Sequence, residues 1–157
     1  MEQHAEDQAI SRLAAFIGEW RMDARFKDIP ATEAGASVVF EWLPGERFLI
    51  ERWELPLPEA PDGIAIIGAD PENHGDYLQH YFDSRGTARL YAMTFGGRIW
   101  TLERTKPDFS PLDFGQRFTG RVSEDGTAIA GEWQKSAGGQ PWTRDYGLTY
   151  TRFAAAR

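Results

Sequence analysis

The sequence predicts an all-β protein in which about ten antiparallel strands close into an up-and-down barrel behind one short N-terminal helix. Three observations lead to that expectation. Ile10, Leu13, Ala14 and Ile17 recur at the i, i+3, i+4, i+7 spacing of an amphipathic helix, and Gly18 stands where helices commonly stop. From Gly18 onward the apolar period drops from about 3.6 to about 2, the alternation of a strand with one covered face. Aromatic and β-branched runs then recur between Gly-, Pro- and Asp-containing turns, as in hairpin-linked neighbours. An open sheet of this size would leave edges and an apolar face uncovered, whereas closure removes the edges and lets the helix plug one end. A two-sheet sandwich has the same periodicity and is the alternative architecture.

The helix is expected over about residues 4–17 and the barrel over about 18–153, within one domain spanning 1–157. The first strand, Glu19 to Phe26, places Trp20, Met22, Ala24 and Phe26 on one face and Glu19, Arg21, Asp23 and Arg25 on the other. Ser37 to Leu43 and Arg47 to Leu55 follow across Pro44-Gly45. Pro56, Pro58 and Pro61 keep the next connection out of any ladder. Ile64 to Ala69 and Tyr77 to Phe82 flank a polar loop from Asp70 to Asp76, and Ser84-Arg85-Gly86 turns the chain into Ala88 to Phe95. Gly96-Gly97 has the composition of a two-residue hairpin turn into Arg98 to Arg104. Asp125-Gly126 joins Gln116 to Val122 with Ala128 to Lys135, and Gly138-Gly139 leads into Trp142 to Arg152.

Composition narrows the function classes. With 41% hydrophobic and 13% aromatic residues among 157, a real core can form and disorder is excluded. The absence of Cys removes disulfides, thiolate nucleophiles and iron–sulfur clusters. A net charge of −7 with no basic cluster argues against nucleic acid and anionic membranes as partners. The acidic start and the lack of a long apolar run lead to the expectation of a cytoplasmic protein.

Phe16-Ile17-Gly18-Glu19-Trp20 after a short helix resembles the Gly-x-Trp opening of calycin-type barrels, which include lipocalins and fatty-acid-binding proteins. A longer series is more specific: Gly68-Ala69-Asp70, Tyr81 to Gly86, Trp100-Thr101-Leu102, Arg117 to Gly120 and Leu148 to Arg152. It is similar to a bacterial lipocalin-like family known only as a domain of unknown function. This resemblance runs from Leu13 to Arg152 and implies a calycin-like β-barrel, with no established reaction. The chain is also similar in length and opening to the nitrobindins, which implies haem bound through a histidine near the C-terminus. That region here contains Tyr146, Tyr150 and Arg152 and no histidine.

Candidate binding residues come from parity. Arg52 alternates with Phe48 and Ile50, Arg89 with Tyr91, Met93 and Phe95, Arg104 with Trp100 and Leu102, and Arg144 with Trp142, Tyr146 and Leu148. Each is expected to project into the lumen, where a guanidinium can hold a carboxylate bidentately while Tyr91, Trp100, Tyr146 and Tyr150 supply hydroxyls and apolar surface. Resemblance to fatty-acid-binding barrels implies the same logic. His80 alternates with Leu78 and Phe82 and is the candidate lumenal imidazole. The bland alternative pairs the arginines with Glu41, Glu51 or Glu103 at the rim, and makes the tryptophans core and end plugs.

Other chemistry fares worse. Asp70, Glu72, His74 and Asp76 mimic the start of a calcium loop, but its twelfth position is Tyr81, where calcium needs a bidentate carboxylate. His80, Asp83 and Ser84 are close in sequence without a triad's directions. No catalytic residue, metal ligand or required cofactor is singled out.

The favoured expectation is a barrel binding a small apolar or acidic-headed ligand. One alternative is a haem-dependent or isomerising enzyme using His80, Tyr146 or Tyr150. A second is a filled-core interaction module, with a sheet edge or barrel wall forming a homodimer.

Overall fold

The computed structural model describes residues 2–25, 35–56 and 60–153. Phe26 and Pro58, assigned above to the first strand and the stiff loop, lie outside these. Helix α1 (Glu2–Arg12) runs into a 3₁₀ turn (Leu13–Phe16). Ten strands follow: β1 (Gly18–Arg25), β2 (Ala36–Trp42), β3 (Leu49–Glu54), β4 (Gly63–Ala69), β5 (Tyr77–Asp83), β6 (Ala88–Gly96), β7 (Ile99–Arg104), β8 (Gly115–Val122), β9 (Ala128–Ser136) and β10 (Thr143–Arg152). Each pairs antiparallel with its sequence neighbours, and β10 returns to β1, so the sheet is a closed up-and-down barrel as expected. No helix among the described residues is long and apolar enough to cross a membrane.

The helix end closes one mouth. Ala9, Ile10, Leu13 and Phe16 are buried, and the Phe16 ring lies 5.3 Å from Phe40, 4.7 Å from Phe95 and 5.0 Å from Trp100, centroid to centroid. Trp100 continues the cluster to Phe118 at 5.0 Å and Tyr150 at 5.7 Å. The half of the barrel nearest the helix is therefore filled by packed rings, in the offset and edge-on arrangements that aromatic quadrupoles favour. Gly131 makes room for this packing, since a Cβ there would collide with the Phe118 ring.

Arg152 fastens the plug. It stands opposite Trp20 in the β1–β10 register with its guanidinium 4.1 Å above the indole. It donates to the carbonyls of Ile17 at 2.5 Å, Ala15 at 2.8 Å and Gly126 at 3.3 Å. Trp20 Nε1 donates to Phe16 O at 2.8 Å. Gly18, at φ +127°, lets the chain leave the 3₁₀ turn beneath that guanidinium, where any Cβ would meet Arg152 at 2.6 Å. Elsewhere Tyr77 donates its hydroxyl to Ala9 O at 2.7 Å, and Arg12 donates to Gly75 O and Phe95 O.

Two local readings are corrected. The β6–β7 turn is centred on Gly97 and Arg98, both at positive φ, one residue later than Gly96-Gly97. The shift puts Arg98 outside near Glu124, 4.0 Å away, and leaves Trp100 rather than an arginine opposite Phe95. In β10 a bulge falls at Asp145, between the pairs Arg144↔Gln134 and Tyr146↔Trp133, and reverses the inside–outside alternation there.

Replacing Arg152 with Met keeps most of the stem and removes the cation and its donors. The variant is expected to lose about 2–3 kcal/mol in urea unfolding, with an unchanged m-value and β-sheet circular dichroism. An unchanged midpoint would show that the clamp contributes nothing to closure.

Candidate functional site

Away from the helix the interior changes character. The inward side chains there are Trp53, Tyr81, Arg89, Tyr91, Gln116, Trp133 and Tyr146, and several are only half-buried, so this half of the lumen meets solvent. Trp53 stacks on Tyr81 at 5.4 Å, Tyr81 meets Tyr91 edge-on at 6.2 Å, and Tyr91 meets Trp133 at 5.8 Å. Gly63 is required beneath Trp53, because a Cβ would run into the indole.

Arg89 faces inward from the start of β6, as expected. Its guanidinium lies 5.9 Å over the Tyr81 ring, and Nη1 reaches Gln116 Oε1 at a long 3.4 Å. Gln116 also accepts from Tyr91 Oη at 2.9 Å. Arg89 Nε is buried without a partner, and Arg89 forms no ion pair with any described residue. Tyr91, Tyr146 and Tyr150 are inward too, and burial pushes each phenol above its ordinary value, so all three are neutral donors near neutrality. Trp100 is fully buried deeper in the barrel, its Nε1 without a partner.

Arg104 has another task. Its Nε and Nη2 donate to the two carboxylate oxygens of Asp108, each at 2.9 Å, and Nη2 also reaches the carbonyls of Ser110 and Pro111. Asp108 in turn accepts from the main-chain N–H of Leu90 and Ser110. These bonds hold the Asp108 carboxyl well below the usual carboxylate range, the Arg104 guanidinium foremost. Arg104 thus fastens the β7–β8 loop over the start of β6, leaving no free fork for a ligand.

Three parity assignments fail. In β3 the inward residues are Leu49, Glu51 and Trp53, so Arg52 points outward and pairs with Glu41. In β5 Tyr77, Gln79 and Tyr81 point inward, leaving His80 on the outer wall beside Phe109, ring centroids 6.4 Å apart. His80 cannot contact a lumenal haem from there. Arg144 lies beyond the Asp145 bulge, outside the barrel and 3.6 Å from Glu132. The Asp70 loop is an ordinary turn in which Asp70 accepts from Glu72 N and Asn73 Nδ2. Among the described residues no cluster of three or more His, Asp or Glu is placed to hold a metal ion.

The same reversal in β3 brings in a group that parity missed. Glu51 is 5% exposed, faces the lumen and has no hydrogen-bond or ion-pair partner among the described residues; desolvation pushes its carboxyl up to about 8. Gln79, also inward and buried, has an unpartnered Oε1. Across four strands the register lines up Glu51, Ala65, Tyr81 and Arg89.

No family model and no curated protein matches the chain. Its fold is similar to that in the crystal structure of Rv2717c from M. tuberculosis, with a TM-score of 0.63 over 93% of this chain and 98% of that one. The two are 17% identical, so the likeness is one of fold.

Two stability outcomes follow from these geometries. Arg104→Ala strands a buried Asp108, the pair being 3% and 9% exposed, and is expected to cost roughly 3–5 kcal/mol in chemical unfolding. Folding raises the Glu51 carboxyl from 4.5 to about 8. Its contribution to stability is therefore fully present below the unfolded value and lost as pH rises through about 8. Glu51→Gln removes that slope, so its melting temperature should increasingly exceed the parent's from pH 5 to pH 9, whereas parallel profiles would contradict an ionisable buried carboxyl.

Proposed function

We propose that the protein binds a small amphipathic acid in the half of the lumen distal to the helix, its carboxylate on Arg89 and its apolar body against the neighbouring aromatic rings. Arg89 carries this reading. It is a half-buried guanidinium with a buried Nε lacking any partner and with no ion pair to a described residue, an arrangement that costs desolvation energy until an anion arrives. Tyr91 and Gln116 fix its orientation, and the neutral phenols around it do not repel an anion. Half-buried Trp133, packed 5.3 Å from the buried Phe118 ring, offers apolar surface beside it. The filled-core alternative describes the helix-proximal half, where rings occupy the interior.

Decanoate and decanol separate head group from tail. By titration calorimetry, Arg89→Gln is expected to weaken decanoate binding about 10–100-fold, the worth of a charge-assisted hydrogen bond, while decanol binding changes little. Equal losses for both, or none, would remove Arg89 as the head-group anchor.

A further inference from the structure

Burial of a carboxyl without a partner is rare, because the group gives up hydration and receives nothing in return. Glu51 is such a group. It comes from the middle of β3 and points into the lumen between Leu49, which is fully buried, and Trp53, which is half-buried. Its inward neighbours in register are Phe40 on β2 and Ala65 on β4. Neither offers a polar side-chain atom. The buried phenol of Tyr150, on the opposite side of the barrel seam, is raised by burial first and by the Glu51 carboxyl second. It too makes no hydrogen bond with a described residue.

We propose that the ligand is bifunctional, and that an uncharged hydrogen-bond-accepting oxygen on its body, a ketone or ether, docks on the Glu51 carboxyl while its carboxylate sits on Arg89. This rests on the lumenal acid reading above. Glu51 and Arg89 lie three strands apart on one register line, roughly 14 Å along the sheet at about 4.8 Å per strand and closer across the lumen. A chain of several carbons spans that gap. Near neutrality the carboxyl keeps its proton, so it donates to an acceptor and does not oppose the acidic head. Glu51 and Arg89 then read different parts of one molecule.

The probes are decanoate and its 5-oxo, 7-oxo and 9-oxo derivatives, titrated into the full chain by calorimetry. At least one oxo-acid is expected to bind about fivefold or more tighter than decanoate, from one added buried hydrogen bond. Glu51→Ala should abolish that advantage and leave decanoate affinity unchanged. Glu51→Gln, which still donates, should restore it. In the parent protein the advantage should fade as pH rises through about 8, where the carboxyl loses its proton. Decanoate binding that depends on Arg89, with no oxo preference or with a preference surviving in Glu51→Ala, overturns this inference and leaves the lumenal acid reading standing. Failure of decanoate and every oxo-acid to bind overturns both. Circular dichroism and melting curves confirm folding, and removal of a buried acid is expected to leave the barrel at least as stable.

Discussion

The guanidinium of Arg152 lies over the Trp20 ring and holds the carbonyls of Ala15 and Ile17, which joins the last strand, the first strand and the helix plug at one point. Barrel closure needs β10 to return to β1, a junction that no connection between consecutive strands spans. The pairing of Trp20 with Arg152 holds it, because both side chains donate to main-chain carbonyls of the helix end, Trp20 to Phe16 and Arg152 to Ala15 and Ile17. Once the plug is seated, Phe16 sets the position of Phe40, Phe95 and Trp100, and that end of the barrel becomes solid. The polar inward side chains, Arg89 and Gln116 among them, are confined to the other half.

That division of labour settles what each arginine does. Arg152 and Arg104 are consumed in binding main-chain carbonyls and a carboxylate, Arg52 and Arg144 pair with Glu41 and Glu132 on the outer surface, and Arg89 is left facing the lumen without an ion pair to a described residue. The buried Glu51 carboxyl offers no charge to neutralise it near neutrality, since desolvation keeps the proton on. An acid and a base in one lumen therefore stay functionally separate, one as a neutral donor and the other as a cation.

The architecture was legible because turn residues and alternation are local signals. Every predicted strand is present, with ends shifted by a residue or two. The lumenal roll was legible only where one parity was apolar. In β6, Tyr91, Met93 and Phe95 mark the inside and place Arg89 correctly. Around β3, Phe48, Leu49 and Ile50 are apolar in succession, so both parities look like core, and choosing Ile50 over Leu49 exchanged Arg52 for Glu51. β5 has the same ambiguity, with Tyr77 and Tyr81 on one face and Leu78 and Phe82 on the other. An aromatic that carries a hydroxyl suits a polar lumen better than leucine does, and that signal would have favoured the correct face. The Asp145 bulge has no mark in composition, so the placement of Arg144 was beyond reach. Arg104 was placed inward correctly, but its capture by Asp108 depends on a loop fold that no periodicity encodes.

A crystal structure of the protein grown with decanoate reads directly where the head group goes. Carboxylate oxygens are expected within hydrogen-bond distance of the Arg89 guanidinium, with the alkyl chain running past Tyr91 and Trp133. Density for the acid on the outer wall beside Arg52 or Arg144, with the lumen dry of ligand at saturating decanoate, would contradict this placement.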